Sequence, residues 1–234
     1  MKVDDLRETL RMLGSRERAA ALQRFFKTGS GEYGEGDIFL GIRVPEVRKV
    51  AKRYRDISLG EVKSLLKSPI HEERLVALLI LVAKFLKGDE AEREGIYDFY
   101  LKNTRYINNW DLVDLTAGKI VGAFLMERER KPLYTLAQSK SLWERQIAVM
   151  STSHFISEND FTDTLRIAAV LLRDEEDLIH KAVGWMLRKV GKRHLPTEEG
   201  FLKTHYREMS RTMLRYAIER FPEAKRQRYL KGTA

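Results

Sequence analysis

Apolar residues recur along most of this chain three and four positions apart, the spacing of one face of an α-helix, and alternating runs of useful length are missing. Leu75, Leu78, Leu79, Val82, Phe85 and Leu86 follow the helical template, and Val113, Ala117, Ile120, Val121 and Phe124 repeat it. Helix starts are legible as well. Ser58 to Glu61 and Ser141 to Glu144 both read S-x-x-E, the reciprocal capping box, while Pro45 and Pro69 suit a first helical position and Thr197 an N-cap. The chain is expected to be all-α.

Four segments also resemble one another. EERLVALLIL at 72–81, WERQIAVMST at 143–152, IHKAVGWMLR at 179–188 and MSRTMLRYAI at 209–218 each set a basic residue ahead of a small-apolar helix. Arg74 and Arg145 are 71 residues apart, Arg145 and Lys181 36, and Lys181 and Arg211 30; Trp110 falls 36 after Arg74, close to half of the 71. A degenerate period of roughly 35 fits paired helices stacked so that each unit covers its neighbour's apolar face. Tetratricopeptide repeats share the length but not the signature, so the expected fold is a HEAT-like helical-repeat superhelix, an α-solenoid curving around a concave surface. At 234 residues and 43% hydrophobic content, one domain spanning 1–234 is expected. The stretch that breaks the pattern runs from 29 to 54, where Gly29, Gly31, Gly34 and Gly36 make a flexible loop, 29–37, leading into a basic helix; no GK[ST] follows, so it is not a P-loop.

Lys and Arg total 43 against 34 Asp and Glu, a formal charge of +9, which favours polyanionic partners. The absence of cysteine removes disulfides, thiolate nucleophiles and sulfur-ligated zinc. The five histidines are scattered and form no HExxH or HxxxH pair, so neither a metal nor a cofactor is implied. The early acids of MKVDDLRETLRML argue against a signal peptide and no window approaches a membrane span, so a cytoplasmic monomer is expected, nucleoid-associated when bound to DNA. Arg43, Arg48, Lys49 and Lys52, around the basic helix that follows the loop, are candidate phosphate contacts. So are Arg74, Lys181 and Arg211, one per repeat, together with Arg188.

Chemistry can be placed at a few positions. Trp110 and Asp114 in NNWDLVDL are four residues apart, so one helical turn separates an indole from a carboxylate. Asp114 sits roughly 75° from the centre of the apolar stripe, on the border between core and solvent, as 100° per residue requires. The alternative is an Asp paired with a neighbouring Arg beside a Trp that simply packs. Trp185 points about 120° away from its helix's apolar stripe and shares its face with Lys181, Arg188 and Lys192, so it covers a neighbouring repeat or meets a ligand. Trp143 aligns with Ile147 and Met150 and reads as core, and Arg145, flanked by Glu144, reads either as a surface ion pair or as a phosphate contact.

IFLGIRVPEVRK at 38–49, NNWDLVDL at 108–115, LWERQIAVM at 142–150 and HKAVGWMLR at 180–188 stand in the order and spacing of the AlkD-type DNA alkylation repair family, which this sequence resembles over most of its length. The resemblance implies a superhelix of HEAT-like repeats and excision of cationic N3- and N7-alkylated purines, such as 3-methyladenine and 7-methylguanine, from double-stranded DNA without a base-flipping pocket. It implies that Trp110 and Trp185 contact the deoxyribose of the lesion, that Asp114 is the catalytic carboxylate, and that Arg145 contacts the DNA backbone. The family also contains members that lack this set and show no base excision. The competing expectation is a non-catalytic repeat module that binds DNA structures or a protein partner.

Overall fold

The computed structural model describes residues 2–234, and helix is their one form of regular structure; the nearest approach to a strand is an isolated parallel bridge between Ile38 and Ile70. The chain divides into two compact units, 1–116 and 117–234. The first runs through α1 (Lys2–Leu13), α2 (Arg16–Phe25), α3 (Val44–Arg53), α4 (Leu59–Leu66), α5 (His71–Lys87), α6 (Glu90–Leu101) and all but the last residue of α7 (Trp110–Ala117). Helix α5 is its centre. It receives α1, α3, α4 and α6, and every residue from His71 to Val82 is buried. The apolar stripe expected on α5 is therefore wrapped on all sides, except that Leu86, in the last turn, is 63% exposed.

The second unit contains α8 (Ala123–Leu125), α9 (Lys131–Ala137), α10 (Leu142–Ser157), α11 (Thr162–Val170), α12 (Asp177–Arg193), α13 (Leu195–His205), α14 (Arg211–Ala217) and α15 (Glu223–Lys231). Helix α10 packs on α9, α11 and α12, and α12 packs in turn on α13 and α14. A π-helical turn, Gly118–Gly122, leads into α8 and lies against α10. A Cβ at Gly118 would run into the Ser153 hydroxyl and one at Gly122 into the Ser151 carbonyl oxygen, so glycine is what permits the approach. The 113–124 stripe is buried throughout, while Trp143 is half-buried.

Local capping follows the sequence in part. Ser58 and Glu61 close both bonds of the box. Ser141 caps the Glu144 amide, but the Glu144 carboxylate turns to the Ser139 hydroxyl at 2.5 Å instead of returning to Ser141. Pro45 lies in the first turn of α3 as expected. Pro69 stands outside α5, two residues before its start, and Thr197 lies inside α13 with its hydroxyl bonded to His194, the residue that occupies the N-cap.

The 71-residue repeat is written in hydrogen bonds as well as in sequence. In the first unit Arg74 Nη1 donates to the Ser68 carbonyl at 3.0 Å and the Ile70 amide to the Ser68 hydroxyl at 3.1 Å. In the second, Arg145 Nη1 donates to the Ser139 carbonyl at 3.0 Å and the Ser141 amide to the Ser139 hydroxyl at 3.1 Å. Each pair straps a helix start to the turn ahead of it. The fold is an all-α helical repeat.

Candidate functional site

Helix α7 is preceded by Asn109, whose carbonyl accepts the first helical bond from Val113 and whose side-chain oxygen accepts from the Trp110 amide at 2.9 Å. Trp110 is half-buried. Phe26 stacks on one face of its indole, with centroids 4.9 Å apart and planes 12° from parallel, and Phe25 meets it edge-on at 5.9 Å. One turn on, Asp114 is half-buried too, on the core-to-solvent border that its place on the helix requires. Burial raises the pKa of the nearby Tyr100 hydroxyl, and the negative charge of Asp114 raises it further.

Beneath the start of α7 lies a buried polar cluster that the sequence did not reveal. Asp37, at the end of the glycine-rich loop, accepts from Arg74 Nη2 at 2.5 Å and from Asn109 Nδ2 at 3.1 Å, and contacts His71 Nδ1 at 3.1 Å. The other ring nitrogen of His71 lies 2.9 Å from Asp111. Burial by itself would push the imidazole pKa down, but the charge and hydrogen bond of Asp111, joined by Asp37, outweigh it and hold the pKa at about 9. His71 is thus an imidazolium between two carboxylates at neutral pH. Its ring stacks on Phe39 at 4.4 Å, Phe39 stacks on Phe26, and Phe26 on Trp110, so an aromatic column runs from the buried cation to the indole. The cluster fixes the end of α7 through Asn109 and Asp111 and fixes the Trp110 ring through the column. It also pins the loop, whose own amides at Gly29 and Gly31 are capped by Glu32 and Glu35.

Arg145 and Trp185 belong to the second unit, on α10 and α12. Arg145 forms a bidentate pair with Asp174, Nε to Oδ2 at 2.6 Å and Nη2 to Oδ1 at 3.2 Å, and its Nη1 serves the carbonyls of Ser139 and Lys140. Its partner is Asp174 and not the adjacent Glu144. Of the five guanidinium donors, one N–H is left over. Trp185 is half-buried, and its indole has no ring contact and no hydrogen bond among the described residues.

The predicted phosphate contacts divide into two kinds. Arg43, Arg48, Lys49 and Lys52 are exposed and have no acidic side-chain partner among the described residues. By contrast Lys181 pairs with Asp177 at 2.7 Å, Arg188 pairs with Glu219, and Arg211 donates to the Leu230 carbonyl. Arg74 departs furthest from the expectation of an open cationic face. It is only 4% exposed, because its charge is drawn inward by Asp37.

This is an all-α repeat protein with a set of unpaired cations on α3 and an aromatic, acid-bearing helix at α7. The sequence pattern of the DNA alkylation repair enzyme family matches residues 6–221, and the chain belongs to that family. Among solved structures, a predicted DNA alkylation repair enzyme from Enterococcus faecalis superposes with a TM-score of 0.70 at 18% identity, covering 90% of this chain and 97% of the other. AlkD2 from Streptococcus mutans superposes with a TM-score of 0.55 at 17% identity, covering 89% and 99%. At these identities the likeness speaks for the fold. No curated protein matches the sequence. Among the described residues no helix is long and apolar enough to cross a membrane.

Proposed function

We propose that this protein is a monofunctional DNA glycosylase that hydrolyses the N-glycosidic bond of cationic N3- or N7-alkylated purines in duplex DNA. The observation that carries the reading is a carboxylate, Asp114, held half-buried one helical turn from a half-buried indole, on a helix whose start is locked by buried hydrogen bonds. An alkylated purine of this kind is already a cation and leaves without being protonated, so one carboxylate is enough where ordinary glycoside hydrolysis uses two. As the bond lengthens, positive charge moves to the sugar. A fixed carboxylate at about 4 Å, in an effective dielectric of about 20, attracts that charge by about 4 kcal/mol, roughly three orders of magnitude in rate. Asp114 would also position the attacking water.

Phe26 occupies one face of Trp110, and the sugar would meet the part of the half-buried indole that stays exposed. The family resemblance also assigns a sugar contact to Trp185, and an indole is worth about 1–2 kcal/mol toward a desolvated cation. Arg145, already oriented by Asp174, would offer its remaining N–H to a backbone phosphate, and the unpaired cations of α3 would add sequence-independent attraction. Selectivity then comes from the charge of the leaving group, so bulky alkyl groups should be tolerated and uracil should not be released.

The test is release of 3-methyladenine and 7-methylguanine from N-methylated duplex DNA by the purified protein beside an Asp114→Asn variant. A loss of about a thousandfold is expected from the variant. Equal release by both proteins, or none by either, would leave the non-catalytic repeat module as the better reading.

A further inference from the structure

A polar pocket of about 250 Å³ opens in the first unit between the end of the glycine-rich loop, the turn ahead of α5 and the stretch ahead of α7. Its wall includes Lys67, Ser68, Arg74, Arg105, Asn108 and Glu35. We propose that this pocket is a binding site for a phosphate group, reached by the buried Arg74 and flanked by Lys67 and Arg105.

The two terminal nitrogens of Arg74 are engaged by the Ser68 carbonyl and by Asp37, but its Nε–H is buried with no acceptor. A buried donor without an acceptor costs about 1–3 kcal/mol, and a guanidinium N–H is among the least tolerant of that state. The repeat makes the gap specific. At the counterpart position in the second unit, the Nε–H of Arg145 is taken by Asp174 at 2.6 Å. The same strap is built twice, and only in the first unit is the Nε–H left without an acceptor.

A second buried polar atom on the wall points the same way. The side-chain oxygen of Asn108 has no partner. Oxygen and nitrogen of an amide are distinguished by their hydrogen bonds, and rotating the group presents an NH2 donor at that position. Around these two lie Lys67 and Arg105, both exposed and without an acidic partner among the described residues. Arg105 is braced over the Tyr106 ring, its guanidinium carbon 4.7 Å from the centroid, which limits the conformational freedom it would lose on binding an anion. The acids on the wall are committed elsewhere: Asp37 to Arg74, His71 and Asn109, and Glu35 to the Gly31 amide. Guanidinium and amide N–H donors with further cations beside them suit a tetrahedral oxyanion. The phosphate can belong to a DNA backbone or be a free anion, and the site stands whether or not the protein excises bases.

The Nε–H resonances of 15N-labelled protein are followed while inorganic phosphate, and separately an undamaged duplex, is added. Duplex affinity is measured against salt for the wild type and for a Lys67→Ala, Arg105→Ala double variant, whose altered side chains are exposed. If a backbone phosphate enters the pocket, one Nε–H resonance, absent in Arg74→Lys, shifts with the duplex. The double variant then binds at least about tenfold more weakly, and its slope of log affinity on log salt falls by about one for each cation removed. A shift with inorganic phosphate alone, with the duplex slope unchanged, identifies a free phosphate as the ligand. The proposal is overturned if the resonance does not move with either ligand, and equally if the slope falls without that shift, because the two cations would then be a diffuse surface patch. Neither negative result alters the outcome of the Asp114→Asn assay.

Discussion

The Arg145 guanidinium is engaged almost wholly inside the protein, and that has consequences before any DNA is bound. Asp174 is 6% exposed, so removing Arg145 leaves a desolvated carboxylate whose remaining partner at hydrogen-bond distance is the Glu176 amide. Breaking a buried pair from one side costs about 3–5 kcal/mol, and the 15% exposure of the guanidinium places this pair toward the lower end. Arg145→Ala should therefore lower Tm by several degrees with no DNA present, at about 2–4 °C per kcal/mol for a chain of this size. Adding Asp174→Ala should restore part of the loss. If thermal unfolding of Arg145→Ala matched the wild type, the strap would contribute nothing and Arg145 would be a ligand contact alone. The site was partly legible at this scale. The border position of Asp114 follows from 100° per residue, but the partner of Arg145 does not, because adjacent helical side chains diverge and Asp174 arrives through packing of the chain 29 residues later. The cluster beneath α7 joins residues 34 to 72 apart. Its one sequence sign is HEER, four ionisable residues ahead of the apolar run from Leu75 to Ala83.

Elements were more legible than residues because helix formation is local. Apolar period and serine caps come from short stretches of chain and survive into the fold, and the 71-residue spacing reappears in its hydrogen bonds. Helix boundaries were less so: Pro69 and Thr197 each miss the expected position by a few residues, since neighbouring contacts decide where a terminal turn frays. Close helix approach was not visible at all. On α12, a Cβ at Gly184 would run into the Met213 carbonyl oxygen on α14, while a Cβ at Gly200 on α13 would meet nothing within 4 Å. Replacing glycine in a helix gains about 0.5–1 kcal/mol from backbone entropy, and overpacking costs about 1–3 kcal/mol. Gly200→Ala should then raise the urea midpoint, and Gly184→Ala should lower it by forcing α12 and α14 apart. Shifts of the same sign in both variants would mean that backbone entropy alone governs these helices.

Across the whole molecule, each unit buries one group that holds its proton more tightly folded than unfolded and releases it between pH 6.5 and 9 in the folded state. In the first it is His71, faced by Asp37, Asp111 and Arg74, with its pKa raised from 6.5 to about 9. In the second it is Glu198, 2% exposed, where burial first and the charge of Glu199 second outweigh Arg188 and Lys225 and push the carboxyl from 4.5 up to about 8. For both, the folded state binds more protons than the unfolded state over the interval between the two pKa values, so stability is lost as pH rises. The intervals overlap between pH 6.5 and about 8, where both groups act in the same direction, and His71 continues alone to about 9. Each contributes a slope of at most about 1.4 kcal/mol per pH unit. The half-buried His154, whose pKa burial lowers below 6.5, loses its opposing influence above that pH. Thermal unfolding should therefore show Tm falling steadily from pH 6.5 to 9, in contrast to the plateau expected of ordinary surface carboxylates and lysines. Glu198→Gln, which keeps the shape and removes the charge, should flatten the part of the slope below pH 8 and leave the His71 part above it. A Tm that is level or rising across that range in the wild type would show that neither proton is held as the burial and partners of these two groups require.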